Sequence, residues 1–101
     1  MECLQKETLR TYGPGDTTFV REAVVDHKLK DVPIFKGTLL IVKNFPNNCN
    51  EKYFKDASKF NPDRWLNDDE NERHSFVNTN FSAGPRSCIG KQLALLESKI
   101  V

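Results

Sequence analysis

The C-terminal part of the chain joins a loop of small residues to an amphipathic helix. Apolar residues recur at i, i+4, i+7 and i+11 from Ile89 to Ile100, the spacing that places them on one helix face. A lone cysteine, Cys88, lies between Gly84 and Gly90, directly before this helix. Unpaired N–H groups and the dipole at a helix N-terminus stabilise negative charge, so a cysteine there is favoured as the metal-binding thiolate. The segment therefore indicates a structured loop with a candidate metal ligand.

The rest of the chain predicts one helix, a small sheet and polar loops. Residues 2–12 mix good helix formers and are followed by Gly13-Pro14-Gly15, a sequence that stops helices. Between residues 19 and 42, β-branched residues cluster in short runs separated by polar turns, which is typical of a small antiparallel sheet. Residues 44–50 hold four Asn and one Pro and predict a loop, whereas residues 67–74 contain no apolar residue and predict a solvated surface loop.

This order of elements favours a mainly α fold with a small antiparallel β-sheet, in a single domain portion covering residues 1–101. The chain is 38% hydrophobic and 29% charged over 101 residues, which allows one core and argues against disorder. A chain of this length buries only about 60–65% of its unfolded surface, so its independent stability is marginal. Because few elements are present to close a core, we interpret the chain as part of a larger domain and incomplete in isolation.

Charge and cysteine content argue against several classes of function. The chain has 15 Lys and Arg against 14 Asp and Glu, a balance that does not suit a nucleic-acid partner. Cys3, Cys49 and Cys88 are widely spaced, so neither a disulfide framework nor a zinc site is indicated, and a reducing, intracellular compartment fits better. No run of about 18 apolar residues predicts a transmembrane segment in this chain, although a missing N-terminal part could associate a longer protein with a membrane.

The loop around Cys88 resembles the cysteine loop of the cytochromes P-450. The family pattern is F-x-x-G-x-R-x-C-x-G, and its fixed positions are occupied here by Phe81, Gly84, Arg86, Cys88 and Gly90. An isolated cysteine is more often a buried structural residue. Here the match at every fixed position makes chance an improbable explanation, and the small residues of the loop would let a flat ligand lie close to the sulfur.

Two further motifs resemble the same family and occur in its order. Glu7-x-x-Arg10 has the i, i+3 spacing of the family's ExxR helix, although alone such a pair is usually a surface contact worth about 0.2–0.5 kcal/mol. Residues 60–65, Phe-Asn-Pro-Asp-Arg-Trp, are similar to the F-x-P-E-R-F segment, with two replacements that we interpret as conserving the chemistry. The resemblance implies a buried polar network of Glu7, Arg10 and Arg64, in which backbone carbonyls satisfy the remaining guanidinium donors. The alternative is a surface turn with Trp65 covering a local cluster.

The resemblance implies a haem-thiolate monooxygenase and assigns roles to several residues. Cys88 would be the axial ligand of the iron of haem b, with loop N–H groups and Phe81 around the sulfur. Arg86 and Arg21 would pair with the haem propionates. The implied reaction cleaves O₂ reductively, so that one oxygen atom enters a small organic substrate and the other becomes water, with electrons supplied by a redox partner.

The sequence also departs from the family in ways that keep alternatives open. Many members have a histidine after the strand, where Asn48 is the nearest residue here. Nothing resembles the family's distal helix or its N-terminal substrate-binding part, so a haem-binding fragment without catalysis and a truncated chain that binds nothing are both alternatives. A phosphate loop at residues 84–91 is a remote one, because its glycines are one residue too far apart and Gln92 replaces the Mg²⁺-binding hydroxyl.

Overall fold

Short helices and two small sheets make up the fold of the computed structural model, which describes residues 1–13, 17–66, 76–77 and 79–100. The elements follow in this order: α1 (Glu2–Tyr12), β1 (Thr17–Glu22), β2 (His27–Leu29), β3 (Val32–Ile34), β4 (Leu39–Lys43), α2 (Phe45–Asn48), 3₁₀ helices at Pro62–Trp65 and Gly84–Arg86, and α3 (Lys91–Ile100). The predicted fold class is confirmed, and the predicted loop at residues 67–74 lies outside the described residues. In the described part of the chain, no helix has the length and apolar character needed to cross a bilayer.

The strands form two separate antiparallel pairs rather than the single sheet that the sequence predicts. β1 pairs with β4, and the chain between these two strands forms a separate hairpin in which β2 pairs with β3. The β1–β4 pairing continues as far as Ala23, whose N–H donates to the carbonyl of Thr38 at 3.0 Å and whose carbonyl accepts from Gly37 at 2.8 Å. Gly37 has a φ of 85°, a left-handed conformation that glycine adopts without strain. The chain therefore turns at this point, directly before β4.

Residues 44–50, which the sequence predicts to be a loop, contain the short helix α2. Pro46 lies in its first turn, where the missing N–H of proline costs no helical hydrogen bond. Asn44 and Asn48 are only 4% and 3% exposed, so these two side chains pack inward while the other residues of the segment are exposed. The loop prediction was wrong because composition does not reveal the distant partners that satisfy buried amides.

The apolar core of the described residues is small and lies beside buried charge. Phe54, Ala57 and Val77 form its centre, and Tyr53 and Trp65 pack against it. The rings of Phe54 and Trp65 are tilted by 55° with centroids 6.0 Å apart, within the range that aromatic pairs prefer. Both charged residues of the ExxR motif, Glu7 and Arg10, are fully buried next to this cluster, so a polar network must satisfy them.

Helix α3 contacts α1 through one side and leaves its apolar stripe exposed. Gln5 of α1 donates a hydrogen bond to the carbonyl of Leu95 at 2.9 Å, and Glu2 forms an exposed ion pair with Lys99 at 3.1 Å. The stripe predicted from the helical spacing is more than half exposed at Leu93, Leu96 and Ile100. An apolar helix face without cover is expected of one part of a larger domain.

Candidate functional site

The loop before α3 is closed by backbone hydrogen bonds. The N–H of Cys88 donates to the carbonyl of Phe81 at 2.8 Å, and between these residues Ser87 donates to the carbonyl of Gly84 at 3.0 Å. Gly84 and Ser82 both have left-handed backbone conformations, with φ values of 70° and 60°. Since this conformation is uncommon for a residue with a side chain, the surrounding contacts must fix the path of the loop at Ser82.

Cys88 is exposed and precedes α3 without belonging to it. Its carbonyl accepts a hydrogen bond from Lys91, the first residue of the helix, at 3.3 Å. A Cβ atom built on Gly90 would lie 3.8 Å from the sulfur of Cys88. Any longer side chain at Gly90 would therefore compete with a ligand for the space on that side of the thiol.

Phe81 connects the cysteine loop to the helices. Its carbonyl accepts the N–H of Cys88, while its side chain lines an apolar groove of about 280 Å³ between α1 and α3, together with Leu9 and Ala94. Phe81 therefore contributes both to the closure of the cysteine loop and to the groove between the two helices.

The two arginines that the resemblance assigns to propionates lie in different settings. Arg86 is the last residue of the 3₁₀ helix inside the cysteine loop and is exposed. Arg21 is exposed in β1, opposite Leu40 of β4, and its Nη1 donates to the carbonyl of Val20 at 3.3 Å. Their pairing with a cofactor stays a prediction.

Glu7 is the centre of a buried polar network that also contains Arg10 and Arg64. Its Oε1 accepts hydrogen bonds from Arg10 Nη2 at 2.8 Å, the backbone N–H of Asn61 at 2.9 Å and Arg64 Nε at 3.1 Å. Its Oε2 accepts from Arg10 Nε at 2.9 Å and from the indole N–H of Trp65 at 2.8 Å. The Arg10 contact is thus bidentate, the geometry that makes arginine–carboxylate pairs strong.

Backbone carbonyls accept hydrogen bonds from the guanidinium N–H groups that do not bond to Glu7. Arg10 donates to the carbonyls of Asn48 at 2.6 Å, Ala57 at 2.8 Å and Lys59 at 3.1 Å. Arg64 donates to the carbonyls of Lys55, Asp56 and Lys59. Two guanidinium groups can therefore share one buried carboxylate, because their excess donors are satisfied by main-chain dipoles.

Trp65 supplies a hydrogen bond that the family pattern does not predict. The sequence comparison treats it as a conservative replacement for Phe, but its indole N–H reaches Glu7 Oε2, where Phe has no donor. The interpretation of this replacement as chemically neutral was wrong. The signal was present in the sequence, since an N–H group distinguishes Trp from Phe.

Asn44 and Asn48 connect α2 to the residues that lead into the cysteine loop. Asn44 donates from Nδ2 to the carbonyl of Thr79 at 3.0 Å and accepts from the Thr79 hydroxyl at 2.9 Å. Asn48 donates from Nδ2 to Oδ1 of Asn80 at 3.1 Å. The sequence assigns no role to these contacts, because the partners are more than thirty positions apart.

The Glu7 carboxyl has a strongly lowered pKa. Burial raises the pKa, but the hydrogen bonds from Arg10, from the backbone of Asn61 and from Trp65 outweigh burial and lower it from 4.5 to about 2. The carboxylate is therefore charged in the folded protein at neutral and mildly acidic pH.

We expect this pKa to make stability depend on pH. Because the folded pKa lies below the unfolded pKa, Glu7 stabilises the fold by about 3 kcal/mol above pH 4.5, and this contribution is lost as the pH falls from 4.5 through 2. Urea unfolding of a complete protein carrying this segment, measured between about pH 6 and pH 3 with Glu7→Gln as control, tests this. An identical loss of stability with falling pH in Glu7→Gln would contradict the assignment.

The family model for cytochrome P450 matches residues 2–101. Among solved structures, retinoic acid bound cyanobacterial CYP120A1 superimposes with a TM-score of 0.87 and 26% sequence identity, over 98% of this chain and 23% of that chain. The chain therefore belongs to the cytochrome P450 family. Its curated relatives include cytochrome P450 4V2 of Rattus norvegicus, 34% identical over 101 residues, and cytochrome P450 4c21 of Blattella germanica, 41% identical over 101 residues. Both alignments cover all of this chain but only 19% and 20% of the relatives, so the chain spans about a fifth of their length.

The residues around Cys88 fit the haem that membership of this family implies. The thiol is exposed, Gly90 leaves the space beside the sulfur open, and Arg86 in the same loop is an exposed cation. A cysteine thiolate is an established axial ligand of haem iron, and a guanidinium group suits a propionate carboxylate. Ile89, which is fully exposed, adds apolar surface next to the thiol.

Proposed function

We propose that this chain is the proximal, haem-binding part of a cytochrome P450 monooxygenase. The observation that carries the proposal is the exposed Cys88 in a loop whose path is fixed by backbone hydrogen bonds, within a family match that runs from residue 2 to residue 101. When bound, the haem would supply the reductive cleavage of O₂, with one oxygen atom entering a small organic substrate and the other becoming water.

In this proposal the cysteine loop holds and orients one ligand atom. The hydrogen bond from Cys88 to Phe81 uses the cysteine's own N–H, so it fixes the backbone from which the sulfur projects. A partner that fixes the backbone of a metal ligand helps to orient that ligand. Gly84 permits the turn through its left-handed conformation, and Gly90 keeps the space beside the sulfur open.

The charged residues have two different tasks. Arg86, and Arg21 from the β1–β4 pair, would neutralise the propionates of the haem, since both guanidinium groups lie on exposed residues. The Glu7–Arg10–Arg64 network would hold the segment from Asn48 to Trp65 against α1 and contribute to the fold instead of the reaction. Electrons would come from a redox partner.

The alternative of a haem-binding fragment without catalysis is favoured, for the isolated chain, by the exposed stripe of α3 and by the fraction of the relatives' length that the chain spans. We expect residues 1–101 alone to bind haem weakly and to convert no substrate, because a one-sided site leaves apolar surface of both protein and cofactor in water.

Oxygen-isotope labelling of a complete protein that carries this segment tests the proposal. Supplied with electrons and ¹⁸O₂, the haem-loaded protein should transfer one labelled oxygen atom to its product. In a second experiment with unlabelled O₂ and ¹⁸O-labelled water, the product should carry no label. The compounds assayed should be small and lipophilic and should include retinoic acid, the ligand named for the structural relative. The isolated 101-residue chain is the control, and product labelled from water in place of O₂ would rule out a monooxygenase.

A further inference from the structure

A continuous series of contacts runs from Arg10 to the cysteine loop through Asn48. Arg10 Nη1 donates to the backbone carbonyl of Asn48 at 2.6 Å, and Nδ2 of Asn48 donates to Oδ1 of Asn80 at 3.1 Å. Asn80 is followed in the chain by Phe81, whose carbonyl accepts the N–H of Cys88 at 2.8 Å. The main chain of Asn48 thus contacts the buried ion-pair network, and its side chain contacts Asn80, directly before the cysteine loop.

Asn44, directly before α2, forms hydrogen bonds with Thr79, the residue that precedes Asn80 on the way into the cysteine loop. Its side chain both donates to and accepts from Thr79, and the carbonyl of Thr79 also accepts from the N–H of Ser82 at 2.7 Å. Asn44 is the N-cap residue of α2, a position where asparagine commonly bonds its own helix. Its side chain makes no such cap, so its hydrogen-bonding capacity is directed to the loop instead.

The burial of Asn48 shows what its side chain contributes. The residue is 3% exposed, and its Oδ1 finds no hydrogen-bond donor among the residues described. A buried amide with one unsatisfied atom adds less stability than a fully paired amide. The hydrogen bond that its side chain does make joins α2 to Asn80, while its main chain accepts from Arg10.

We propose that Asn48, assisted by Asn44, is a positioning residue that transmits the fixed location of the Arg10 network to the cysteine loop and so keeps the Cys88 thiolate on the haem iron. This inference rests on the proposed function of the loop. When the contact to Asn80 is lost, the loop is free to shift relative to α2, and the sulfur is more readily lost as the ligand.

The test uses a complete, haem-loaded protein carrying this segment, reduced under carbon monoxide. The absorption spectrum separates thiolate-ligated from non-thiolate haem, and circular dichroism and haem content report folding independently. We expect Asn48→Leu to raise the ratio of non-thiolate to thiolate complex by about tenfold. Substitution of residues that support a metal ligand from outside the coordination sphere commonly has an effect of this size. Asn48→His retains an N–H donor and should stay within about twofold of wild type.

Thr79→Val provides a second test of the inference, and Asn47→Leu provides its control. Thr79→Val preserves side-chain shape but removes the hydroxyl bonded to Asn44, and should raise the same ratio by roughly threefold, the effect of one typical hydrogen bond. Asn47→Leu alters an exposed amide on the same short helix and should change nothing.

An unchanged ratio in a folded Asn48→Leu protein, whether or not its haem content falls, would overturn the inference. If Asn48→Leu does not fold, an unchanged ratio in Thr79→Val overturns it. A wild-type protein that shows no thiolate spectrum would instead overturn the proposed function itself.

Discussion

Cys88→His should abolish the strongly red-shifted absorption band of the ferrous carbon monoxide complex in a complete protein that carries this segment. A neutral imidazole donates less electron density to iron than a thiolate, so the monooxygenase activity that we propose should be lost with the band even if haem still binds. Absorption spectra of the reduced protein under carbon monoxide, with haem content measured in parallel, provide the readout. This is the largest functional effect that we expect from a single substitution in the chain.

The other two cysteines are matched controls for this experiment. Cys3 lies in α1 and is partly buried, and Cys49 is exposed directly after α2, so neither has the setting of Cys88 in a loop preceding α3. Cys3→Ser and Cys49→Ser should keep the band. Survival of the band in Cys88→His, or its loss in a folded Cys49→Ser protein, would refute the assignment of the iron ligand.

Glu7→Ala should have the largest effect on stability, a loss of about 3–5 kcal/mol, because it leaves the buried guanidinium groups of Arg10 and Arg64 without their carboxylate. Arg10→Ala should cost a similar amount, since it also leaves the carbonyls of Asn48, Ala57 and Lys59 without their donor. Folding and haem retention should then fail together. Denaturant unfolding and the yield of haem-loaded protein measure both effects.

Glu2→Ala is the control for Glu7→Ala, because Glu2 lies on the same helix and also pairs with a cation. Its partner Lys99 and its own side chain are exposed, and exposed ion pairs contribute little. We therefore expect stability and haem retention to remain close to wild type. An unchanged yield of haem-loaded protein in Glu7→Ala would mean that the buried pair is not needed for the fold.

The parts of the structure that the sequence predicts well are those set by local chemistry. Helix α1 ends at Tyr12, as the Gly-Pro sequence indicates, and glycine is required at position 13 because a Cβ atom there would lie 2.4 Å from the carbonyl oxygen of Leu9. The start of α3 just after the cysteine loop follows in the same way from residue spacing. The contact between Glu7 and Arg64 is not local, since the two residues are 57 positions apart, and it was expected only because of the resemblance to the family.

The parts that the sequence does not predict depend on distant partners. Asn48 forms its hydrogen bond with a residue 32 positions away, so a run of asparagines looks like a loop until its acceptors are known. The stripe of α3 is correctly read as apolar, but the spacing alone does not say whether a neighbour covers it. The indole donor of Trp65 acquires a role only once Glu7 lies beside it.

The way in which Arg10 and Arg64 hold residues 48–59 limits which changes this segment can accept during evolution. Both arginines donate hydrogen bonds to main-chain carbonyls of this segment, and a main-chain carbonyl is present whatever the side chain of its residue. Exposed positions such as Lys55 and Lys59 should therefore accept many residue types without disturbing the network. A deletion or insertion of one residue has no such freedom, because it would displace several carbonyls from the guanidinium groups at once. Length, more than residue identity, is the property that this stretch must keep.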